Sequence, residues 1–141
     1  MKTQERQLAK IAGAIFWVRR ARVMLDVDLA GLYGVETKYL KRQVNRNRER
    51  FPSDFMFTLT RKEVIGIRCQ IGTLDKWGRG QHSKYLPYAF TEHGILMLSS
   101  VLNSSRAVQT NIAIMRAFLR LREMLSTDRE LAHKFWSSSG K

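Results

Sequence analysis

The sequence predicts a helix-rich, compact α+β domain with a small antiparallel sheet and a variant helix-turn-helix. Three observations point there. Capped helical stretches make up most of the chain. Three apolar regions of strand length, residues 15–25, 55–59 and 85–90, are separated by turn residues and helices. Between Asp26 and Phe51 a short apolar helix meets a basic one through a glycine. The 141 residues suffice for one ordinary domain with a real core, and an apolar content of 44% argues against disorder.

Taken in order, residues 1–10 read as a frayed polar lead-in. Residues 15–18 and 23–25 are short apolar runs flanking Arg19-Arg20-Ala21-Arg22, a hairpin pattern whose turn lacks glycine or asparagine. Asp26 offers an N-cap for a helix to Tyr33, and Gly34 ends it. Thr37 offers a second cap, for a helix to about Arg50, stopped by Phe51-Pro52 because a residue before proline avoids helical backbone. Residues 55–59 read as a strand. Thr60 and Glu63 form a capping-box pattern opening a helix to about Arg68. Residues 72–83, with Gly78 and Gly80, read as a mobile loop. Pro87 makes residues 85–90 at best an edge strand. Thr91 caps a helix to about Leu102, and Asn103-Ser104-Ser105 turns into a long helix to about Leu125. Thr127 and Glu130 form a further capping box, leading to a short helical extension and a flexible end. The expected organisation is a domain over residues 11–125 and an extension over 126–141.

The long helix carries two apolar stripes. One is Val108, Ile112, Met115 and Leu119; the other is Ile114, Phe118, Leu121 and Leu125. Together they cover about half the circumference, more than one small core requires. The expectation is that the first stripe is core and the second a homodimer interface.

Charge is the outlier of the composition. Twenty-five Lys and Arg oppose twelve Asp and Glu, a formal +13, with arginine in the majority. Such a balance speaks of partners rather than fold, and a polyanion is the expected one. Cys69 is the one cysteine, so no intrachain disulfide or cysteine cluster forms, and a reducing cytoplasm is expected. The polar start lacks the pattern of an export signal, and no run approaches the ~18–20 apolar residues of a membrane span.

The segment from Asp26 to Phe51 bears the function. In a helix-turn-helix two helices pack through apolar residues, a small residue stands where they touch, and glycine permits the left-handed turn. Leu29 and Tyr33 face the core, Ala30 is the small contact, Gly34 makes the turn and Val35 plugs beneath it. On the second helix Leu40 and Val44 share one face with Phe51, with Asn47 between. A stricter spacing would place the second contact at Gln43, hence the variant geometry. The opposite face carries Lys38, Lys41, Arg42, Asn45, Arg46 and Arg48. With Thr37 at the helix start, these are the candidate DNA-binding residues: arginine suits guanine, asparagine suits adenine, and either cation suits phosphate. The alternative is a helical hairpin with a solvated basic face.

The run VMLDVDLAGLYGVETKYLKRQVNRNRERFPSDFMFTLT, followed by KYLPYAFTEHGILMLSSVLNSSRAVQTNIAIMRAFLRLREML, resembles the KilA-N-type DNA-binding domain of phage and bacterial proteins, in the subgroup called ORF-six-N. The resemblance covers roughly residues 15–125. It implies a double-stranded DNA-binding domain of prophage-encoded regulators and antirepressor-like proteins. The chain departs from the family where Arg20 or Ala21 replaces a turn glycine, where Gly31 replaces an acidic residue, and where His93 replaces glutamine. The helical C-terminal extension common in the family here stops after about Phe135.

Two further sites are candidates. Arg79 and Lys84 bound a basic loop suited to gripping phosphate like a wing. The aromatic run of residues 85–90 suits either base stacking or the core, and the core is the expectation. His82, His93 and His133 lack metal-ligand spacing, and Glu92-His93 reads as a helix-start pair, so neither enzyme activity nor a cofactor or metal is expected. The expected function is a phage- or prophage-type transcription regulator that binds double-stranded DNA as a homodimer in a bacterial cytoplasm, away from membranes. The alternative is an antirepressor-like module that contacts a repressor protein and binds nucleic acid weakly.

Overall fold

A computed structural model describes residues 2–71 and 86–127. Helix α1 (Lys2–Ala12) leads into a hairpin of β1 (Phe16–Val18) and β2 (Ala21–Leu25). Helices α2 (Asp26–Tyr33) and α3 (Thr37–Arg46) follow, then a 3-10 turn (Arg48–Arg50) and β3 (Met56–Thr58). Next come α4 (Arg61–Ile71), β4 (Tyr88–Thr91), α5 (Glu92–Leu102) and α6 (Ser105–Thr127). The expected α+β class and antiparallel sheet are present.

The sheet has the order β1-β2-β4-β3, with all three pairings antiparallel. Strand β4 is therefore internal, not an edge. Pro87 does not prevent this because it stands just before the strand, where only its carbonyl is used, accepting from the Leu59 N–H at 3.0 Å. Alternation along the strands creates two apolar layers. Met24, Met56 and Phe90 join the helices of the larger core, while Phe16, Val18, Val23, Leu25 and Ala89 meet Val64 and Ile67 of α4.

The β1–β2 turn forms without glycine. Register pairs Val18 with Ala21, leaving Arg19 (φ 51°) and Arg20 (φ 65°) both left-handed. Left-handed backbone costs a non-glycine residue ~1–2 kcal/mol. Tertiary contacts offset this: Arg19 donates to both Glu63 carboxylate oxygens (2.7 and 3.0 Å), and its guanidinium sits 4.3 Å from the centre of the Phe57 ring. Glu63 also closes the expected capping box, accepting from the Thr60 N–H at 2.8 Å while its own N–H donates to Thr60 Oγ1 at 3.1 Å.

Three sequence expectations are corrected. The lead-in is helix α1, whose Ile11 is buried in the larger core with Leu8 packed against it and whose Glu5, Arg6 and Lys10 face solvent. Asp26 and Thr37 do not cap their helices; Leu25 and Glu36 hold the cap positions, without side-chain bonds, and α3 ends at Arg46. The two stripes of α6 are exchanged except at Met115, which packs against the core as expected. Ile114 and Phe118 are fully buried, whereas Val108, Ile112 and Leu119 are 45%, 41% and 50% exposed. The buried face of α6 also holds Ala107, Thr110, Asn111 and Ala117. Small and polar residues hide that face from a count of bulky apolar ones.

Thr91 Oγ1 caps α5, accepting from Gly94 N–H at 3.4 Å, and Ser104 Oγ caps α6, accepting from Ala107 N–H at 3.1 Å. The loop of residues 72–83, Tyr85, and the extension beyond Thr127 lie outside the described residues.

Candidate nucleic-acid interface

Helices α2 and α3 meet through a tight turn. Gly34 adopts φ 75°, its N–H donates to the Gly31 carbonyl (3.3 Å), and Val35 N–H donates to the Ala30 carbonyl (3.0 Å). This pair of bonds is a Schellman motif, which consumes carbonyls that the end of α2 would otherwise leave open. Leu29, Ala30 and Tyr33 are buried as expected, and Val35 packs against the same core. Helix α6 supports the turn. Arg106 Nη2 and Thr110 Oγ1 both donate to the Leu32 carbonyl (3.5 and 3.4 Å). The Tyr33 hydroxyl donates to Asn111 Oδ1, and Asn111 Nδ2 donates to the Ile95 carbonyl at 2.7 Å. Burial pushes the Tyr33 phenol far above its ordinary range, so it stays a neutral donor.

Helix α3 docks through Leu40 and Val44, both fully buried, with Phe51 buried just beyond. Lys38, Arg42 and Arg46 project to solvent on the opposite face, at the three- and four-residue spacing of neighbours on a helix. From Thr37 through Arg50 there are six lysines and arginines but only one acidic residue, Glu49. Thr37 is half-buried at the start of the helix.

Lys41, Asn45 and Arg48 are engaged within the domain. Asp26 is 3% exposed at the start of α2, and its Oδ2 accepts from the Tyr88 N–H at 3.0 Å. Lys41 Nζ lies 3.4 Å from that oxygen, donates to the Leu86 carbonyl at 3.3 Å, and sits 4.7 Å from the centre of the Tyr88 ring. Burial raises the Asp26 carboxyl above its ordinary pKa; the Tyr88 N–H and Lys41 pull it back only in part. The Tyr88 hydroxyl donates to Asn45 Oδ1 (3.1 Å), and Arg48 Nη1 donates to the same oxygen (2.9 Å). One acidic residue and one aromatic from outside α3 thus fix its height and rotation against β4.

Sequence reasoning passed over three members of this site. In sequence Asp26 resembles a cap, although its partners lie across the fold. Tyr88 reads as one of a run of core aromatics, yet it is half-buried, with its hydroxyl on the α3 surface. Tyr39, 40% exposed, stands on the solvent side of α3 opposite Leu40 and Val44. Its place on the helical wheel was the available signal. Arg79 and Lys84 lie outside the described residues.

The segment that folds this way also matches a family model, that of the ORF6N domain, over residues 13–101. The chain belongs to the ORF6N family. The resemblance noted in the sequence, to a KilA-N-type phage regulatory domain of this subgroup, is upheld. The ORF6N match takes in the hairpin, both helices of the turn, β3, β4 and nearly all of α5. Helix α6 follows the match yet fills the same core. No curated protein and no solved structure matches the chain.

Other chemistry is sparse around this ORF6N domain. Among the described residues no group of three or more His, Cys, Asp or Glu is placed to hold a metal ion, and no helix is long and apolar enough to cross a membrane. Glu92 pairs with Arg122 (2.7 Å), and His93 stacks on Phe55 with ring centres 5.5 Å apart.

Proposed function

We propose that this domain binds double-stranded DNA, with α3 as the helix that enters the major groove, and that it acts as a phage- or prophage-type transcription regulator in a bacterial cytoplasm. One observation supports this above the rest: a helix docked by Leu40 and Val44 behind a Schellman turn, with Lys38, Arg42 and Arg46 aimed outward. Apolar packing sets the orientation of such a helix, and cations on its far face supply phosphate and base-edge contacts. Lys38 and Arg46 serve the backbone, and Arg42 a base edge.

The test is binding of labelled duplex across a salt series. If about five phosphates are neutralised, log K falls against log salt with a slope of roughly −4 to −5. A slope near zero sinks the proposal.

A protein-binding role, of the antirepressor kind, is favoured by the apolar stripe of Val108, Ile112 and Leu119 on α6. We assign that stripe to a second copy of the chain, since two recognition helices about one DNA turn apart suit a near-palindromic site. A repressor partner on the same stripe is the competing outcome.

A further inference from the structure

An asparagine that reads adenine must use both ends of its amide, the oxygen accepting from N6–H and the nitrogen donating to N7. The amide oxygen of Asn45 is already occupied twice, by the Tyr88 hydroxyl at 3.1 Å and by Arg48 Nη1 at 2.9 Å. The identity of that atom follows from chemistry. A guanidinium has donors and no acceptor, so the amide atom facing Arg48 is the oxygen. The Tyr88 hydroxyl must then donate to it, because that oxygen carries no hydrogen. Tyr88 is itself held in place. Its N–H is bonded to buried Asp26, and Lys41 and Arg48 lie 4.7 and 5.7 Å from its ring centre. Asn45 remains exposed, with only its NH₂ group left for a ligand.

We infer that Asn45 acts on DNA as a donor only and selects guanine, whose N7 and O6 are both major-groove acceptors, over adenine. Tyr88 and Arg48 are the positioning residues that impose this choice. The inference rests on α3 being the groove-reading helix. It reverses the adenine pairing that the residue type alone suggests.

The experiment is selection of bound duplexes from a random DNA pool by the full chain and three variants. Asn45→Ala identifies the base position that depends on this side chain, with preference there falling about tenfold. That position is guanine in the unmodified protein. Tyr88→Phe combined with Arg48→Met leaves the amide oxygen free and moves that same position toward adenine. Tyr88→Phe alone, a change of one hydroxyl, gives an intermediate shift. These results support the inference. Any other base at that position, an Asn45→Ala loss spread evenly over all sequences, or a double variant that still selects guanine overturns it while leaving DNA binding intact. No enriched motif even from the unmodified protein overturns both the inference and the function on which it rests.

Discussion

Lys41 on α3 reaches back to within 3.4 Å of the buried carboxylate of Asp26 on α2, so part of the positive face of the helix is bound internally. With its side chain 23% exposed, Lys41 holds the helix as well as decorating it. Lys41→Ala is expected to lower unfolding stability by about 1–3 kcal/mol, since it strips a partner from a buried acceptor. Lys38→Ala and Arg42→Ala, both exposed, should stay within roughly 0.5 kcal/mol of the parent while weakening DNA binding. Denaturant titration of the three variants beside duplex affinity separates the roles. Equal stability of all three refutes the holding role.

The same pair has a pH signature. Burial raises the Asp26 carboxyl above its ordinary value of 3.8, so the folded chain keeps this proton where the unfolded chain has lost it. The contribution of Asp26 to stability therefore falls as pH climbs from that value through the raised one. Asp26→Asn keeps an acceptor for the Tyr88 N–H and discards the charge. The variant should gain on the parent as pH rises from acid toward neutrality, read as the difference between two melting curves. A difference that shrinks over that interval contradicts the assignment.

Two glycines differ in kind. Gly34 has φ 75°, and an added Cβ would stand 2.8 Å from the end of the Arg106 side chain, which can swing away. Gly34→Ala should cost the ~1–2 kcal/mol of left-handed backbone together with the long Arg106 bond to the Leu32 carbonyl. At Gly94 the Cβ would come within 2.0 Å of the Phe55 carbonyl oxygen, a fixed acceptor for the Thr91 N–H and hydroxyl. Gly94→Ala should reach or exceed the ~1–3 kcal/mol typical of overpacking. Thermal melts of both variants give the order, and a milder Gly94 variant would contradict it.

On α6, the exposed stripe and the buried one predict opposite outcomes. Ile112→Glu or Leu119→Glu should leave a folded protein that sediments as a monomer, with weaker binding to a palindromic site. Phe118→Glu should unfold the domain, because a charge would replace a fully buried ring. A parent protein that is monomeric at high concentration refutes the dimer. A Phe118 variant that keeps its fold refutes the core assignment.

The helix order, the glycine turn, the capping box at Thr60 and the cap at Thr91 were legible because each depends on residues within four positions of one another. Apart from the ends of α3, the errors have the opposite origin. Asp26 looks like a cap until Tyr88 and Lys41 are brought beside it, and the Arg19-Arg20 turn looks unfavourable until Glu63 and Phe57 arrive. Periodicity showed that α6 has two apolar stripes, but only the packing of α1 and α5 chose between them. In the candidate site, the outward Lys38, Arg42 and Arg46 could be read from the wheel. The tether on Lys41, Asn45 and Arg48 could not, because Asp26 and Tyr88 are remote in sequence.

Helix α1 packs along α6, and Ile11 shares its core with Ile114 and Phe118. The ribosome makes the first of these helices long before the last. Throughout that interval α1 lacks the helix it chiefly packs on, and the turn at Gly34 lacks Arg106 and Thr110 beneath it. The α2–α3 hairpin is therefore synthesised early and completed late. A nascent chain halted before α6 emerges should be readily cleaved by protease and bind DNA poorly, however complete its basic helix.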